Sequence, residues 1–252
     1  MNLTAAQGGA VAASVIKQVE DSSEVDVVIC PPFLAIPSIR EQVRTSSVKL
    51  GAQNCMWLDS GAFTGQVSPK QLHEFCVDYC IVGHSETRGR FGKLEIPEST
   101  TGSFHETDET VNLKIKRLLY YGINPILCVG ETKAERDAGQ TETVIASQLA
   151  GALEGIDPAE MYQFVVAYEP VWAIGTGEVC ASDEANRVCG YIKDWLIGHM
   201  DEESAKNVRI LYGGSVNAAN SAELFSQPSI DGGLVGGASL KPEEFCQIVA
   251  SA

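Results

Sequence analysis

Basic residues are scarce in this chain: 18 Lys and Arg stand against 33 Asp and Glu, a formal net charge of −15. Proteins that bind nucleic acid or an anionic membrane surface need clustered Lys and Arg to neutralise phosphates, so the sequence favours neither partner. No apolar run approaches the ~18 residues of a membrane span. The Ala-rich N-terminal stretch contains no basic residue before Lys17, which is typical of a helix rather than a signal peptide.

Several chemical motifs are missing as well. None of the eight cysteines forms a C-x-x-C pair, and Cys30 and Cys128 lie in apolar runs, where a thiol behaves as a small hydrophobe. We therefore expect reduced, structural cysteines and a cytoplasmic protein. Neither G-x-G-x-x-G nor G-x-x-x-x-G-K occurs, which disfavours dinucleotide and NTP sites, and no His/Cys/Asp cluster has the spacing of metal ligands.

What the chain does have is an alternation of short apolar runs with longer amphipathic stretches. The runs are rich in Val and Ile, as strands buried on both faces of a parallel sheet are, so the pattern predicts an α/β fold, either doubly wound or closed as a barrel. No linker divides the chain, and we expect a single domain over residues 1–252. The seven predicted strands are Val25–Cys30, Val48–Gln53, Cys80–Val82, Ile126–Val129, Phe164–Tyr168, Val208–Tyr212 and Gly233–Val235.

The first predicted element is a helix, from about Thr4 to Glu20, with no strand before it. Further helices are predicted from about Glu106 to Tyr121 and around Val188–Leu196. An eight-stranded barrel requires a strand ahead of the first helix. The sheet is therefore either open, or its first strand is missing from this sequence.

Polar residues follow several of the apolar runs, and the carboxyl edge of a parallel sheet is where ligands bind. His84 is as well explained by a structural hydrogen bond as by catalysis. If it is catalytic, a neutral imidazole near a helix N-terminus would donate to a substrate oxygen, its pKa held down by the helix dipole. The position of Glu169 favours a functional role, because burying a carboxylate directly after an apolar strand costs free energy unless the carboxylate is paired or takes part in the chemistry.

Two glycine-rich turns follow the last two predicted strands, at Gly213-Gly214-Ser215 and at Gly236-Gly237. They are either tight turns or a cradle of backbone N–H groups for a phosphate, and their consecutive placement favours the cradle modestly. The apolar segment Pro170–Gly177 is either a packed loop or a lid that closes over substrate, and its position next to Glu169 favours the lid.

At these residues the sequence strongly resembles the triosephosphate isomerase family. The matching stretches run in order along nearly the whole chain, and the one around Glu169 is too long to match by chance. They are Gly51–Asn54, Gly61–Gly65, Ile81–Glu86, Ala167–Gly177, Tyr212–Val216 and Gly232–Ala238.

The resemblance implies a (β/α)8 TIM barrel that forms a homodimer and, without a cofactor, interconverts dihydroxyacetone phosphate and D-glyceraldehyde 3-phosphate in glycolysis and gluconeogenesis. Glu169 would move the proton between the two carbons, and a neutral His84 would polarise the carbonyl. Lid closure around Gly175, with Ser215, Gly236 and Gly237, would hold the phosphate and exclude water.

Three departures from the family pattern stand out. The family's first strand, ending in Asn-x-Lys, would immediately precede Met1-Asn2, so the barrel lacks that strand in the sequence as it stands. Residues 93–105 form a polar insertion, which we expect to be a solvated loop, with an altered subunit interface as the alternative. Gln66 and Thr87 replace an acidic and a basic residue, which puts some interface ion pairs in doubt.

Three functions stay open at this point. The first is an active isomerase, which the intact Glu169, His84 and lid favour. The second is a truncated, catalytically impaired barrel that acts only as a phosphate-binding or interaction scaffold. The third is a different phosphate-binding barrel enzyme.

Overall fold

A computed structural model of the chain describes residues 1–19 and 24–252. In that part of the chain, seven strands form one sheet, and all of them lie where the apolar runs predict them, with shifts of a few residues at their ends. Their bounds are β1 Val28–Ile29, β2 Lys49–Ala52, β3 Tyr79–Val82, β4 Asn124–Val129, β5 Val165–Tyr168, β6 Arg209–Tyr212 and β7 Gly232–Gly233.

Helices follow the strands in alternation. The first runs to Val19, and Glu20, at the end of its predicted range, lies outside the described residues. The α-helices are α1 Ala5–Val19, α2 Ile36–Val43, α3 Pro69–Glu74, α4 Asp108–Tyr120, α5 Lys133–Asp137, α6 Thr141–Leu153, α7 Ser182–His199, α8 Glu202–Asn207, α9 Ser221–Phe225 and α10 Pro242–Val249. Side chains cap the starts of α3, α4, α5 and α8: Thr107, for example, accepts a hydrogen bond from the Thr110 backbone N–H.

All strand pairs are parallel and join neighbours in chain order, from β1–β2 through to β6–β7. This order is that of a (β/α) barrel and excludes a doubly wound sheet, in which the strand order reverses. Within the described residues β1 and β7 are not paired with each other, so the sheet is a curled, open barrel.

The strands are buried on both faces, as their continuous apolar character predicts. Tyr79 and Ile81 of β3 point into the barrel, where they belong to one cluster of buried residues with Val165 of β5. Cys80 and Val82, the alternate residues of β3, belong to the larger core between the sheet and the helices. No helix of the described part of the chain is long and apolar enough to cross a membrane.

The insertion, residues 93–105, is mostly exposed and contains no buried residue. Its ordered part is a short 3-10 helix, Glu98–Ser103. The chain then enters α4, whose predicted start at Glu106 is two residues earlier than the observed one.

Candidate active site

One cavity of about 1180 Å³ lies at the carboxyl ends of the strands and continues along the space between β1 and β7. The barrel brings all six predicted site residues to its wall, although they come from four different βα loops. They are His84, Glu169, Gly175, Ser215, Gly236 and Gly237.

Glu169 continues β5, and its backbone N–H donates to the Val129 carbonyl at 2.8 Å. Its side chain is only 2% exposed, and Oε1 lies 2.8 Å from Nε2 of His84. The Ser85 backbone N–H donates to Oε2 at 2.9 Å. Within the described part of the chain, Oε1 makes no well-aligned hydrogen bond, and the His84 ring is its polar neighbour at the cavity wall.

His84 follows β3 through Gly83, whose φ of +70° favours glycine. The Glu86 backbone N–H donates to Nδ1 of the ring at 3.2 Å, which places the proton of the neutral imidazole on Nε2. Nε2 therefore faces Glu169 as a donor. The two side chains form an acid–base pair at hydrogen-bonding distance, as a proton transfer requires.

The expectation of a lowered pKa for His84 is wrong. Burial of the ring lowers the pKa, but the carboxylates of Glu169, Glu86 and Glu106 outweigh burial and raise the pKa above the ordinary histidine value. The helix dipole invoked from the local sequence is weaker than a carboxylate at 2.8 Å.

A buried ion pair that the sequence did not reveal supports the turn before His84. Glu106 Oε2 accepts hydrogen bonds from the Gly83 backbone N–H at 3.0 Å and from the Thr87 hydroxyl at 2.5 Å. Its Oε1 pairs with the Lys114 ammonium, which also donates to Asn54 at 2.7 Å. This network holds the loop that carries His84.

The predicted phosphate cradle consists of two turns with different geometry. At Gly214 the backbone runs so close to β6 that a Cβ would lie 2.2 Å from the Tyr212 hydroxyl oxygen, so only glycine fits. At Gly236 and Gly237 a Cβ would meet no atom within 4 Å, so their backbone is accessible from the cavity. Both turns therefore present backbone groups without side chains in the way.

The segment Pro170–Gly177 has a buried start and an exposed tip. Val171–Ala173 form a buried 3-10 turn, whereas Gly175 and Gly177 are exposed with φ of +68° and +85°. The Ser215 hydroxyl donates to the Ala173 carbonyl at 3.1 Å, which links the segment to the cradle. A lid requires a segment that is fixed at its start and has small residues at its tip, and this segment has both.

The anchor of this segment is Glu131, which the sequence reasoning missed. Glu131 is 1% exposed, and its Oε1 accepts hydrogen bonds from Trp172 Nε1 at 2.8 Å and from the Tyr168 hydroxyl at 3.1 Å. Burial raises the pKa of Glu131, although both hydrogen bonds oppose this shift. The Arg136 guanidinium lies 3.6 Å from the centroid of the Trp172 ring. The sequence feature that pointed to Glu131 is its position at a strand end, since Gly130-Glu131 follows β4 directly.

No group of three or more His, Cys, Asp or Glu side chains is arranged to hold a metal ion among residues 1–19 and 24–252.

Comparison with known proteins identifies the family that shares this arrangement. The family model described as triosephosphate isomerase matches residues 1–252. The triosephosphate isomerase of Alkaliphilus metalliredigens is 47% identical over 234 residues, which cover 93% of this chain and 89% of the relative. That of Carboxydothermus hydrogenoformans is 46% identical over 234 residues, 93% and 88% of the two chains. That of Lactobacillus helveticus is 44% identical over 229 residues, 91% and 86%. The chain belongs to the triosephosphate isomerase family.

Proposed function

We propose that this protein interconverts dihydroxyacetone phosphate and D-glyceraldehyde 3-phosphate by proton transfer through an enediol. The observation that carries the proposal is the pairing of Glu169 with His84 at 2.8 Å, on the wall of the cavity that also contains the glycine turns. Family membership over the whole chain supports the same reaction.

In the proposed mechanism Glu169 takes the proton from the carbon next to the substrate carbonyl and returns it to the neighbouring carbon. The Ser85 N–H orients one carboxylate oxygen at 2.9 Å, and the other oxygen is available to the substrate. Because the site is buried, this carboxylate is shielded from the water that would weaken it as a base.

His84 is the proposed electrophile. Its neutral ring donates from Nε2 to the substrate carbonyl oxygen, because the Glu86 N–H keeps Nδ1 unprotonated. The substrate would lie between Nε2 and the Glu169 carboxylate, so substrate oxygen replaces the carboxylate as the partner of the ring. The same nitrogen can then pass a proton between the two enediol oxygens.

The substrate phosphate is proposed to bind the backbone N–H groups of Gly236 and Gly237 together with Ser215 and, on lid closure, Gly175. Backbone N–H groups at the start of a helical turn bind anions well, and Gly237–Leu240 is a 3-10 turn of this kind. Closure around Gly175 would also keep water from the enediol.

We further propose a single-domain homodimer in the cytoplasm. The resemblance to the family implies that the loop Gly61–Gly65 inserts into a partner subunit; this loop is exposed throughout, and Phe63 at its centre is 43% exposed. An exposed aromatic residue on a protruding loop is typical of a subunit contact. Sedimentation of the purified protein that gave only a monomer would contradict this assignment.

Incubation of the purified protein with D-glyceraldehyde 3-phosphate in D2O, followed by NMR, tests the reaction. We expect dihydroxyacetone phosphate with deuterium on the carbon that Glu169 reprotonates. Glu169→Gln should lower kcat by roughly 10² to 10⁴, the contribution of one general base. Phosphate binding without any turnover would instead favour the scaffold function, and turnover of another phosphorylated sugar alone would favour a different barrel enzyme.

A further inference from the structure

The side chain of Arg90 crosses from the loop that carries His84 to the turn that follows β4. Arg90 lies on the loop after β3, where its backbone N–H donates to the Ser85 carbonyl at 2.9 Å. Its guanidinium reaches the next loop, and Nη2 donates there to the Gly130 carbonyl at 3.1 Å. Arg90 therefore joins the backbones of two βα loops at the carboxyl edge of the sheet.

Glu135 fixes the far end of the Arg90 guanidinium. Nη1 donates to Glu135 Oε1 at 3.2 Å, and Nη2 pairs with Oε2. Glu135 is itself held at the start of α5, because its Oε2 accepts hydrogen bonds from the Thr132 N–H at 2.7 Å and from the Thr132 hydroxyl at 2.8 Å. Burial raises the pKa of Glu135, but the hydrogen bonds from Thr132 and Arg90 outweigh burial and hold the pKa below the ordinary value. A two-pronged pair with a charged carboxylate fixes the direction of an arginine side chain.

The turn at Gly130 lies directly against Glu169. A Cβ on Gly130 would lie 1.8 Å from the Glu169 carbonyl oxygen, so the two backbones touch. On one side of this contact, the Glu169 N–H donates to the Val129 carbonyl at 2.8 Å. On the other side, the Val171 N–H donates to the Glu131 carbonyl at 3.1 Å. A displacement of Gly130 would therefore displace the backbone that carries the Glu169 side chain.

The contacts of Arg90 lead to Glu169 by two routes. Ser85, whose carbonyl Arg90 holds, donates its own N–H to Glu169 Oε2 at 2.9 Å. Gly130, whose carbonyl Arg90 also holds, packs against the Glu169 backbone. The carboxylate and the backbone of Glu169 are thus both connected to Arg90, which does not itself line the cavity.

We propose that Arg90 is a positioning residue: its guanidinium and its backbone N–H together fix the Glu169 carboxylate at its distance from the His84 ring. This inference rests on the proposed isomerase function and adds to it a residue behind the cavity wall. The reaction is sensitive to this distance, since a misplacement of about 1 Å in an active site can lower the rate about a hundredfold.

The test compares Arg90→Met, Arg90→Lys and a control, Arg187→Met, in the full chain. Arg187 also pairs with carboxylates, those of Glu184 in α7 and Glu142 in α6, and it does not line the cavity. For each variant, kcat and KM are measured with D-glyceraldehyde 3-phosphate, and circular dichroism shows whether the variant is folded. The same substitutions are made in a Glu169→Gln background, where the group that Arg90 positions no longer acts as a base.

We expect Arg90→Met to lower kcat roughly tenfold to a hundredfold and to leave KM unchanged. KM should not change, because Arg90 holds the loops after β3 and β4, whereas the proposed phosphate ligands Ser215, Gly236 and Gly237 lie on the loops after β6 and β7. Arg90→Lys should also lower kcat, though less, because an ammonium lacks the fork that holds a carboxylate and a carbonyl together.

In the Glu169→Gln background, Arg90→Met should lower kcat by less than about twofold, since the carboxylate through which it acts is already absent. Arg187→Met should leave kcat and KM unchanged in both backgrounds. If Arg90→Met does not fold, Arg90→Lys keeps a charge opposite Glu135 and allows the same comparison between backgrounds.

An equal loss of kcat in the two backgrounds would show that Arg90 supports the fold in general, and would overturn the inference. Wild-type kcat in Arg90→Met or in Arg90→Lys would overturn the Arg90 inference alone. Absence of triose phosphate turnover in the unsubstituted protein would instead overturn the proposed function, and the inference with it.

Discussion

The hydrogen bond between Trp172 and Glu131 allows a quantitative test of how the lid is anchored. Glu131 is buried, and Trp172 Nε1 donates to its Oε1 at 2.8 Å. Trp172→Phe keeps an aromatic ring under the Arg136 guanidinium but removes this donor. A hydrogen bond to a charged group contributes about 1.5–3 kcal/mol, so we expect a loss of about 2 kcal/mol in the free energy of unfolding. For a chain of this size the loss corresponds to a fall in Tm of about 4–8 °C.

Chemical denaturation and thermal melting of both proteins measure the loss. Trp195→Phe is the matched control, because its ring stacks on His199 at 3.9 Å between centroids but its indole N–H has no hydrogen bond within the described residues. The control removes the same indole atoms from a less buried position, so the free energy of unfolding should fall less in Trp195→Phe than in Trp172→Phe. An equal loss in the two variants would refute the contribution assigned to the hydrogen bond.

The charge of Glu131 provides a second check on the same reasoning. In a Glu131→Gln background the acceptor is neutral, so Trp172→Phe should cost only about 1 kcal/mol. The pKa of Glu131 is already raised by burial, and losing a donor that favours the carboxylate raises it further. A carboxyl group whose pKa is raised by folding makes the fold less stable as the pH rises. The loss of unfolding free energy caused by Trp172→Phe should therefore become smaller as the pH falls toward that pKa. A deficit independent of both pH and background would contradict the assignment.

Two other predictions concern the active site and the insertion. Because Glu169 raises the pKa of His84, protonation of the ring stabilises the fold below about pH 6.5, and this stabilisation is lost as the pH rises through the raised pKa. The Tm of the unsubstituted protein, measured from pH 5.5 to 8.5, should therefore fall over this range. In Glu169→Gln this fall in Tm should be absent. Gly92→Ala places a methyl group against the Val171 and Ile174 carbonyls and should lower kcat/KM roughly tenfold or more by displacing the lid. Gly102→Ala, in open space within the insertion, is its control, and equal activities of the two variants would contradict the contact.

Much of the fold was predictable from local patterns. Buried parallel strands carry apolar residues on both faces, so β3 and β5 were recognisable as continuous runs, and a polar residue such as Glu169 directly after a run marks the ligand-binding edge. Strand ends were less predictable, since β7 consists of two glycines whose pairing depends on β6. The choice between a doubly wound sheet and a barrel was also open, because both produce the same alternation of elements.

The supporting residues of the site could not be predicted in the same way. Glu131 carries the strand-end signal, but its partner Trp172, like Lys114, the partner of Glu106, becomes a neighbour only when the barrel curls.

The sequence by itself determined the succession of strands and helices along the chain, the candidate site residues His84 and Glu169 and the glycine turns, since hydrophobic periodicity and strand-end polarity are local properties of a chain. Only the tertiary structure decided the electrostatics of the site. The pKa of His84 depends on a carboxylate on another strand, and a Coulomb interaction at 2.8 Å in a buried site outweighs anything that the neighbouring backbone contributes.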